Sequence, residues 1–152
     1  MVFRMLSKSL LYQEIKVKRK PPLNLLLYDK ICFEHEFEKI FPPAYLHTLQ
    51  NINVSPEGII FKNFKIFEPS LIHPSRKKAF NLRYLLFNYI KRKKIVLQKK
   101  EKYILAFNEW SDAYFHWICD TLPRLMSVKN ILHNYIFLLP EKYSAPFFKE
   151  SL

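Results

Sequence analysis

Glycine occurs only once in the 152 residues of this chain, at Gly58. Loops that wrap backbone amides around a pyrophosphate need several glycines, because the backbone must turn tightly and approach the phosphate closely. The sequence therefore contains neither a dinucleotide-binding loop nor a P-loop. The segments "NINVS", "PEG" and "IIFKNFKIFEP", residues 51–69, predict a small β meander in which Gly58 supplies the turn conformation.

The composition indicates a globular protein with a basic surface. Apolar residues make up 49% of the chain, which is enough for a core of one ordinary domain. The formal net charge of +12, from 25 Lys and Arg against 13 Asp and Glu, predicts a surface that attracts phosphates, nucleic acid or anionic lipid headgroups. This charge alone does not choose among those partners.

Hydropathy and cysteine usage favour a cytoplasmic localisation. The longest apolar runs, such as "LNLLLY" at 23–28, are far shorter than the roughly 20 residues that cross a bilayer. The amino-terminal residues have mixed charge and lack the apolar stretch of a secretory signal. Cys32 and Cys119 are not arranged as a CxxC pair, so they predict two buried free thiols rather than a disulfide or a zinc site.

The amino-terminal third gives weak signals. Residues 14–18, "EIKVK", alternate like an edge strand that Pro21 and Pro22 end. Residues 29–50 suggest a loop or short helix, then the Pro42-Pro43 break, then another short helical turn. We therefore treat 1–50 as an amino-terminal strand followed by a poorly determined segment.

The carboxyl-terminal part predicts α/β structure. Residues 76–94 have apolar residues at helical intervals with basic clusters at both ends, which favours an amphipathic helix with solvated ends, or a weak contact with a membrane surface or nucleic acid. Apolar segments at 94–98 and 103–107 predict buried strands, and "YIFLLP" at 135–140 predicts another. A strand, a helix and a strand between 103 and 139 form a βαβ unit. The last residues, "EKYSAPFFKESL", predict the start of a further helix.

The helix between these strands, in "WSDAYFHWICDTLPRL" at 110–125, carries an unusual set of polar residues. Ser111 is a favourable N-cap, so the helix is expected to begin near residue 112. With about 100° of rotation per residue, apolar residues share one side, and a polar stripe occupies the other. The apolar side comprises Tyr114, Ile118, Leu122 and Leu125; the polar stripe comprises Asp112, Ala113, His116, Asp120, Pro123 and Ser127.

His116 and Asp120 lie four residues apart, so their side chains can meet and form a general base oriented by a carboxylate. The stripe follows a strand directly, and α/β sheets bind ligands at the carboxyl ends of strands. A simple helix-surface pair is the alternative. A metal site of His116, Cys119 and Asp120 would need ligands from diverging faces, which disfavours it.

Pro123 predicts a kink that leaves the carbonyl of Cys119 without its helical partner. Arg124 offers a forked donor that suits phosphate or carboxylate. Trp117 fits either the core or a platform for substrate. The remaining histidines, His35, His47, His73 and His133, have no ligand-like spacing.

The segment "YFHWICDTLPRL" at 114–125 resembles the signature of glycosyltransferase family 61, in its bacterial capsular polysaccharide branch: an aromatic pair, His-Trp, two apolar residues, an acidic residue and Leu-Pro-Arg. "NINVSPEGIIF" at 51–61, "YILAFNEWS" at 103–111 and "YIFLLPEKY" at 135–143 are similar to the segments around that signature. The resemblance covers roughly residues 45–150. One departure is Ala113, where many relatives place an asparagine. The other is length, because family members are typically more than twice as long.

The resemblance implies a GT-B architecture of two Rossmann-like halves that transfers a sugar from a nucleotide-sugar donor with inversion. It assigns His116 and Asp120 to catalysis, either residue being the base, and Arg124 and Trp117 to substrate binding. The implied partners are a glycan or lipid-linked glycan acceptor and, peripherally, the inner face of an anionic membrane. No metal or other cofactor is expected in this chain.

On this basis residues 51–152 are expected to form an incomplete α/β acceptor-side domain, partial Rossmann-like and preceded by the meander, without the nucleotide-sugar half. One alternative is a non-catalytic truncated fragment. Another is a basic module that binds nucleic acid or other anions, which the dispersed Lys and Arg residues and the missing RNA- or DNA-binding motifs disfavour.

Overall fold

A computed structural model of the chain describes residues 4–140 and 143–151. Residues 1–3, 141, 142 and 152 lie outside the described residues. The first three belong to the predicted amino-terminal segment, and the others belong to the segment of the predicted final helix. The chain divides into two compact units, one formed by Arg4–Gln50 and the other beginning at Asn51. We call them the amino-terminal unit and the site unit. The division falls where the α/β domain is expected to begin.

The amino-terminal unit consists of two antiparallel strand pairs and a helix. Strand β1, Arg4–Tyr12, pairs with β4, Ala44–Gln50, and β2, Ile15–Lys18, pairs with β3, Glu38–Phe41. Helix α1 spans Lys30–Phe37. The edge strand at 14–18 and the short helix within 29–50 are confirmed. The prediction of a helical turn after Pro43 is wrong, because those residues form a strand that pairs with β1. Since β1 lies some 40 positions earlier in the sequence, no local pattern shows this partner.

The site unit opens with the predicted meander, which is confirmed. Strands β5, Asn53–Val54, β6, Ile60–Lys62, and β7, Lys65–Ile66, pair antiparallel in that order. Gly58 stands in the turn at φ +82°, and a β-carbon there would lie 2.8 Å from the carbonyl oxygen of Phe107. Gly58 is thus required both by the backbone conformation and by this close approach.

Helix α2 is shorter than predicted. It spans Leu82–Lys91, and the side-chain oxygen of Asn81 caps it by accepting a hydrogen bond from the amide of Tyr84. Two short 3₁₀ helices precede it, at Glu68–Ser70 and Pro74–Lys78. The strand predicted at 94–98 is wrong. Those residues form no strand and are all exposed, since no described strand pairs with them.

The βαβ unit is confirmed. Strands β8, Tyr103–Leu105, and β9, Ile136–Leu138, pair in parallel. Between them lies one helical segment, residues 114–127, which we call the site helix and which includes α3, Tyr114–His116, and α4, Leu122–Ser127. The 3₁₀ helix Lys129–Asn134 follows it. The final helix, α5, spans Pro146–Ser151, as the sequence predicts. The described sheet has these two strands only, so the larger Rossmann-like sheet stays a prediction.

Two groups of contacting side chains lie in the core of the site unit. Ile59, Leu71 and Phe80 pack together, with Ile66 and Tyr84 against them. Trp117 packs edge to face on Phe148, with ring centroids 4.6 Å apart, and joins α5 to the site helix. Among the described residues, no helix is both long enough and apolar enough to cross a bilayer.

Candidate functional site

The loop after β8, residues 106–113, is held by a buried polar network. The amide of Asn108 donates to Ser111 Oγ at 2.9 Å, and the Asn108 side-chain oxygen accepts from the amide of Trp110 at 2.9 Å. Ser111 Oγ also lies 2.7 Å from Thr121 Oγ1 on the site helix. Asn108, Ser111 and Thr121 are all buried. The loop is therefore attached to the helix by side chains that water does not reach.

This network overturns the predicted role of Ser111 as a helix N-cap. The helix begins at Tyr114 with Ala113 in the cap position, and no side chain caps it. Ser111 is fully buried and its hydroxyl is used within the loop. The residue type was compatible with a cap, but tertiary burial gave it different partners.

Two arginines fix the same loop from outside the network. Arg76 donates from Nε and Nη2 to Glu109, the shortest contact being 2.7 Å, and the Glu109 side chain is only 5% exposed. These hydrogen bonds raise the pKa of the Arg76 guanidinium. Arg124 donates from Nη1 to the carbonyl oxygen of Ala106 at 3.1 Å. The loop thus has little freedom relative to the site helix.

The predicted pair of His116 and Asp120 is in contact. His116 Nδ1 lies 2.8 Å from Asp120 Oδ2, and both side chains are partly exposed. The Trp110 ring lies beside the imidazole, with centroids 4.9 Å apart. Trp110, Asp112, Ala113 and His116 line an open depression of about 300 Å³. An imidazole oriented by a carboxylate therefore faces a solvent-filled space next to an exposed indole.

The site helix contains a π turn where the sequence predicts a kink. Its segments α3 and α4 are α-helical, but Trp117–Thr121 is π-helical and the amide of Leu122 donates to the carbonyl of Trp117. Pro123 has no amide proton to donate to the carbonyl of Cys119. The wider π turn before Pro123 accommodates the absence of that hydrogen bond.

The π turn also changes which residues share a face. The buried side of the helix comprises Trp117, Thr121 and Leu125, whereas Tyr114 is 63% exposed. The predicted apolar side is therefore wrong for Tyr114, because the extra residue in the π turn shifts the positions before it out of phase with those after it.

Trp117 is 1% exposed, and its Nε1 donates to Ser151 Oγ at 2.8 Å. Its indole therefore packs in the core and presents no face to a ligand in this structure. The tryptophan that lines the depression is Trp110, which was not singled out from the sequence. Its signal was a tryptophan in a polar loop directly after a strand.

Arg124 lies near Asp120 and the loop rather than in open solvent. Although the residue as a whole is exposed, desolvation lowers the pKa of its guanidinium, and the Asp120 charge opposes that lowering. One of its donors is committed to Ala106. Arg124 thus links the site helix to the loop and places a positive charge beside Asp120.

Within residues 4–140 and 143–151, no group of three or more His, Cys, Asp or Glu side chains is arranged to hold a metal ion. Cys119 and Cys32 are both exposed, so the prediction of buried thiols is wrong. Cys119 stands on the outer side of the site helix, and α1, which carries Cys32, has no buried residue.

Comparisons of the chain with models of protein families, with curated proteins and with solved structures found no match. The resemblance to glycosyltransferase family 61 therefore stays a prediction that depends on the residues quoted above.

Proposed function

We propose that this chain supplies the acceptor side of an inverting glycosyltransferase in which His116 takes the proton of the acceptor hydroxyl. The observation that carries the proposal is the contact between His116 and Asp120, beside Trp110 and after the carboxyl end of β8. The sequence resemblance supports the reaction class, and the site geometry supports the roles of the residues.

The pair suits general base catalysis. When His116 Nδ1 carries the proton and donates a hydrogen bond to Asp120 Oδ2, the lone pair of Nε2 is left to accept a proton from a substrate. Asp120 holds the ring in this tautomer and stabilises the imidazolium that forms. This arrangement makes His116 the base and Asp120 the residue that orients it.

The proposed step is a single displacement. The acceptor oxygen forms a bond to the anomeric carbon of the donor sugar while the bond from that carbon to the nucleotide diphosphate breaks, and the diphosphate leaves with the electron pair. The acceptor proton passes to His116. By the resemblance, the nucleotide-sugar belongs to a second Rossmann-like half.

Trp110 gives the depression an affinity for sugars. The residue is 41% exposed, and its backbone amide is held by the Asn108 side-chain oxygen within the buried network. An aromatic ring with an exposed surface can pack on the apolar face of a pyranose while the nearby polar groups bind hydroxyls. In this proposal Arg124 is a positioning residue, and Trp117 packs the core.

The test measures the binding of acceptor glycans to the chain, with tryptophan fluorescence as the readout. The chain has two tryptophans, one at the site and one buried, so a glycan that stacks on Trp110 changes the emission, and Trp110→Phe removes that change. Trp117 then provides a constant background. We expect saturable binding of at least one neutral, acidic or lipid-linked oligosaccharide from a panel. NMR of the His116 ring gives a second readout. If no glycan changes the fluorescence or the NMR resonances of His116, the acceptor site is refuted.

A second measurement tests the base. Transfer of radiolabelled sugar from a panel of nucleotide-sugars is followed for a protein that carries both the acceptor side and the donor half. His116→Ala and Asp120→Asn should each lower kcat by orders of magnitude without changing the fold, because general base catalysis contributes about 10²- to 10⁴-fold. His133→Ala, an exposed histidine away from the depression, is the matched control. Near-normal transfer by both site variants would exclude the proposed roles.

A further inference from the structure

Residues 91–102, "KRKKIVLQKKEK", form a basic segment with an apolar tip. The segment has seven Lys and Arg residues and one carboxylate, Glu101. The cationic residues precede and follow the tip, "IVL" at 95–97. All residues of the segment except Arg92 are exposed, and Arg92 bonds to Glu57 at 3.4 Å. The charge therefore belongs to the surface rather than to internal ion pairs.

The tip is more exposed than aliphatic side chains usually are. Ile95 is 82% exposed and Val96 is 89% exposed. The segment is nevertheless attached to the fold, because the amide of Gln98 donates to the Tyr103 hydroxyl at 3.1 Å and the amide of Glu101 donates to the Gln98 carbonyl at 3.2 Å. A turn at residues 98–101 therefore anchors the carboxyl end of the segment, and the aliphatic side chains before it lie between two lysine clusters.

We propose that residues 91–102 dock the protein on the surface of an anionic lipid bilayer. Ile95 and Val96 insert below the headgroups, where their burial is favourable. The lysines on both sides remain at the level of the phosphates, with their aliphatic stems along the apolar boundary. Both halves of this contact are needed, because either one alone gives weak, reversible binding.

The composition of the segment favours lipid over nucleic acid. Residues 91–102 include no aromatic residue. Proteins that bind single-stranded nucleic acid combine basic side chains with aromatic rings on which bases stack, and aliphatic side chains do not provide that surface. Aliphatic side chains gain free energy in the acyl region instead.

This proposal does not rest on the proposed glycosyl transfer. The segment precedes the amino end of β8, whereas the loop of the candidate site follows its carboxyl end. Failure of one proposal therefore leaves the other standing.

The experiment is flotation of the full chain with vesicles of phosphatidylcholine, with and without phosphatidylglycerol, at low and high salt. We expect binding to the anionic vesicles at low salt, weaker binding at high salt, and little binding to neutral vesicles. Ile95→Ser with Val96→Ser, and separately Lys99→Gln with Lys100→Gln, should each lower the partition coefficient about tenfold or more. All four side chains are exposed, so the fold should be retained, as circular dichroism would verify.

Matched controls identify the segment. Leu23 and Leu27 are 108% and 88% exposed, so Leu23→Ser with Leu27→Ser removes an equally exposed aliphatic pair outside the segment. Lys20→Gln with Lys30→Gln removes two exposed lysines elsewhere. Both control variants should bind vesicles as the wild type does.

Three results would overturn the proposal. The first is vesicle binding that stays at the wild-type level in both segment variants, or that is weakened in a control variant only. The second is equal binding to neutral and anionic vesicles. The third is absence of vesicle binding, including the case in which the chain binds a single-stranded oligonucleotide with an affinity that depends on Lys99 and Lys100 but not on Ile95 and Val96.

Discussion

Different interactions stabilise each of the two units of this protein internally. In the amino-terminal unit, residues 4–50, no residue is buried, and the strands are joined by hydrogen bonds and surface ion pairs. Glu38 illustrates this, since it bonds Lys16 at 2.8 Å and Lys18 at 3.0 Å. In the site unit, Ile59, Leu85, Trp117 and Phe148 are at most 1% exposed.

The difference indicates why the candidate site lies where it does. Exposed ion pairs add little net stability because water and salt screen them, whereas each buried apolar side chain contributes about 1.5–3 kcal/mol. A general base and an aromatic platform must keep a fixed geometry. The loop with Trp110 and the helix with His116 have that geometry because Ser111, Thr121 and Trp117 tie them to a buried core.

The largest expected effect is loss of the core beneath the site. Trp117→Ala should lower the free energy of unfolding by about 3–5 kcal/mol, because it leaves a cavity against Phe148. In the amino-terminal unit, Tyr45→Ala should lower it by only about 1 kcal/mol, since Tyr45 is 39% exposed and its ring contacts the ammonium of Lys8 at the surface. Urea unfolding followed by residue-resolved NMR measures both. Equal losses would contradict the contrast between the units.

The next effect concerns the turn that supports the loop. Gly58→Ala should lower the free energy of unfolding by about 2–3 kcal/mol, because alanine resists φ +82° and its β-carbon would collide with the Phe107 carbonyl. Asn63→Gly, at φ 48° in the next turn, should be neutral or slightly stabilising. Thermal unfolding of the two variants compares them. If Gly58→Ala leaves the stability unchanged, the turn does not require glycine and can accommodate a β-carbon next to the Phe107 carbonyl.

A smaller effect is expected from the buried network. Thr121→Val keeps the shape of the side chain but removes the partner of Ser111 Oγ, which should cost about 1–2 kcal/mol. It should also broaden the Trp110 resonances, because the loop loses its attachment to the helix. Ser127→Ala, which removes a more exposed bond to the Arg124 carbonyl, should cost less than about 0.5 kcal/mol. Unchanged stability and unchanged Trp110 signals in Thr121→Val would show that the network does not fix the loop.

The smallest effect is a pH dependence of the amino-terminal unit. Hydrogen bonds from Lys16 and then Lys18 lower the pKa of Glu38 from 4.5 to about 2. The folded carboxylate therefore adds stability that is present above pH 4.5 and is lost as the pH falls towards about 2. NMR titration of Glu38 and of the β2–β3 amides checks this, and added salt should weaken it. Glu38→Gln should remove this part of the pH dependence; if the dependence persists in full, another group causes it.

Local sequence patterns predicted the elements that carry their own turn residues, apolar runs or helical spacing. The meander around Gly58 and the βαβ unit follow from turn residues and apolar runs, and the four-residue spacing of His116 and Asp120 brings their side chains together. The candidate base pair was therefore visible in the sequence, as a pair.

Features that depend on distant residues were not visible. Strand β4 forms because β1 pairs with it, and residues 94–98 stay a loop because no described strand pairs with them. The burial of Ser111 and Trp117 and the exposure of Trp110 depend on packing of the loop and α5 against the site helix.

By itself, the sequence determined the meander and the βαβ unit of the site unit, the need for glycine at one turn and the basic character of the surface, because these depend on local conformation and composition. Only the tertiary structure decided which aromatic residue faces the candidate site and which is buried. It also decided that the apolar tip at Ile95 and Val96 is left in solvent. The physical reason is that burial and strand pairing are set by contacts between residues far apart in the chain, and a local pattern does not specify them.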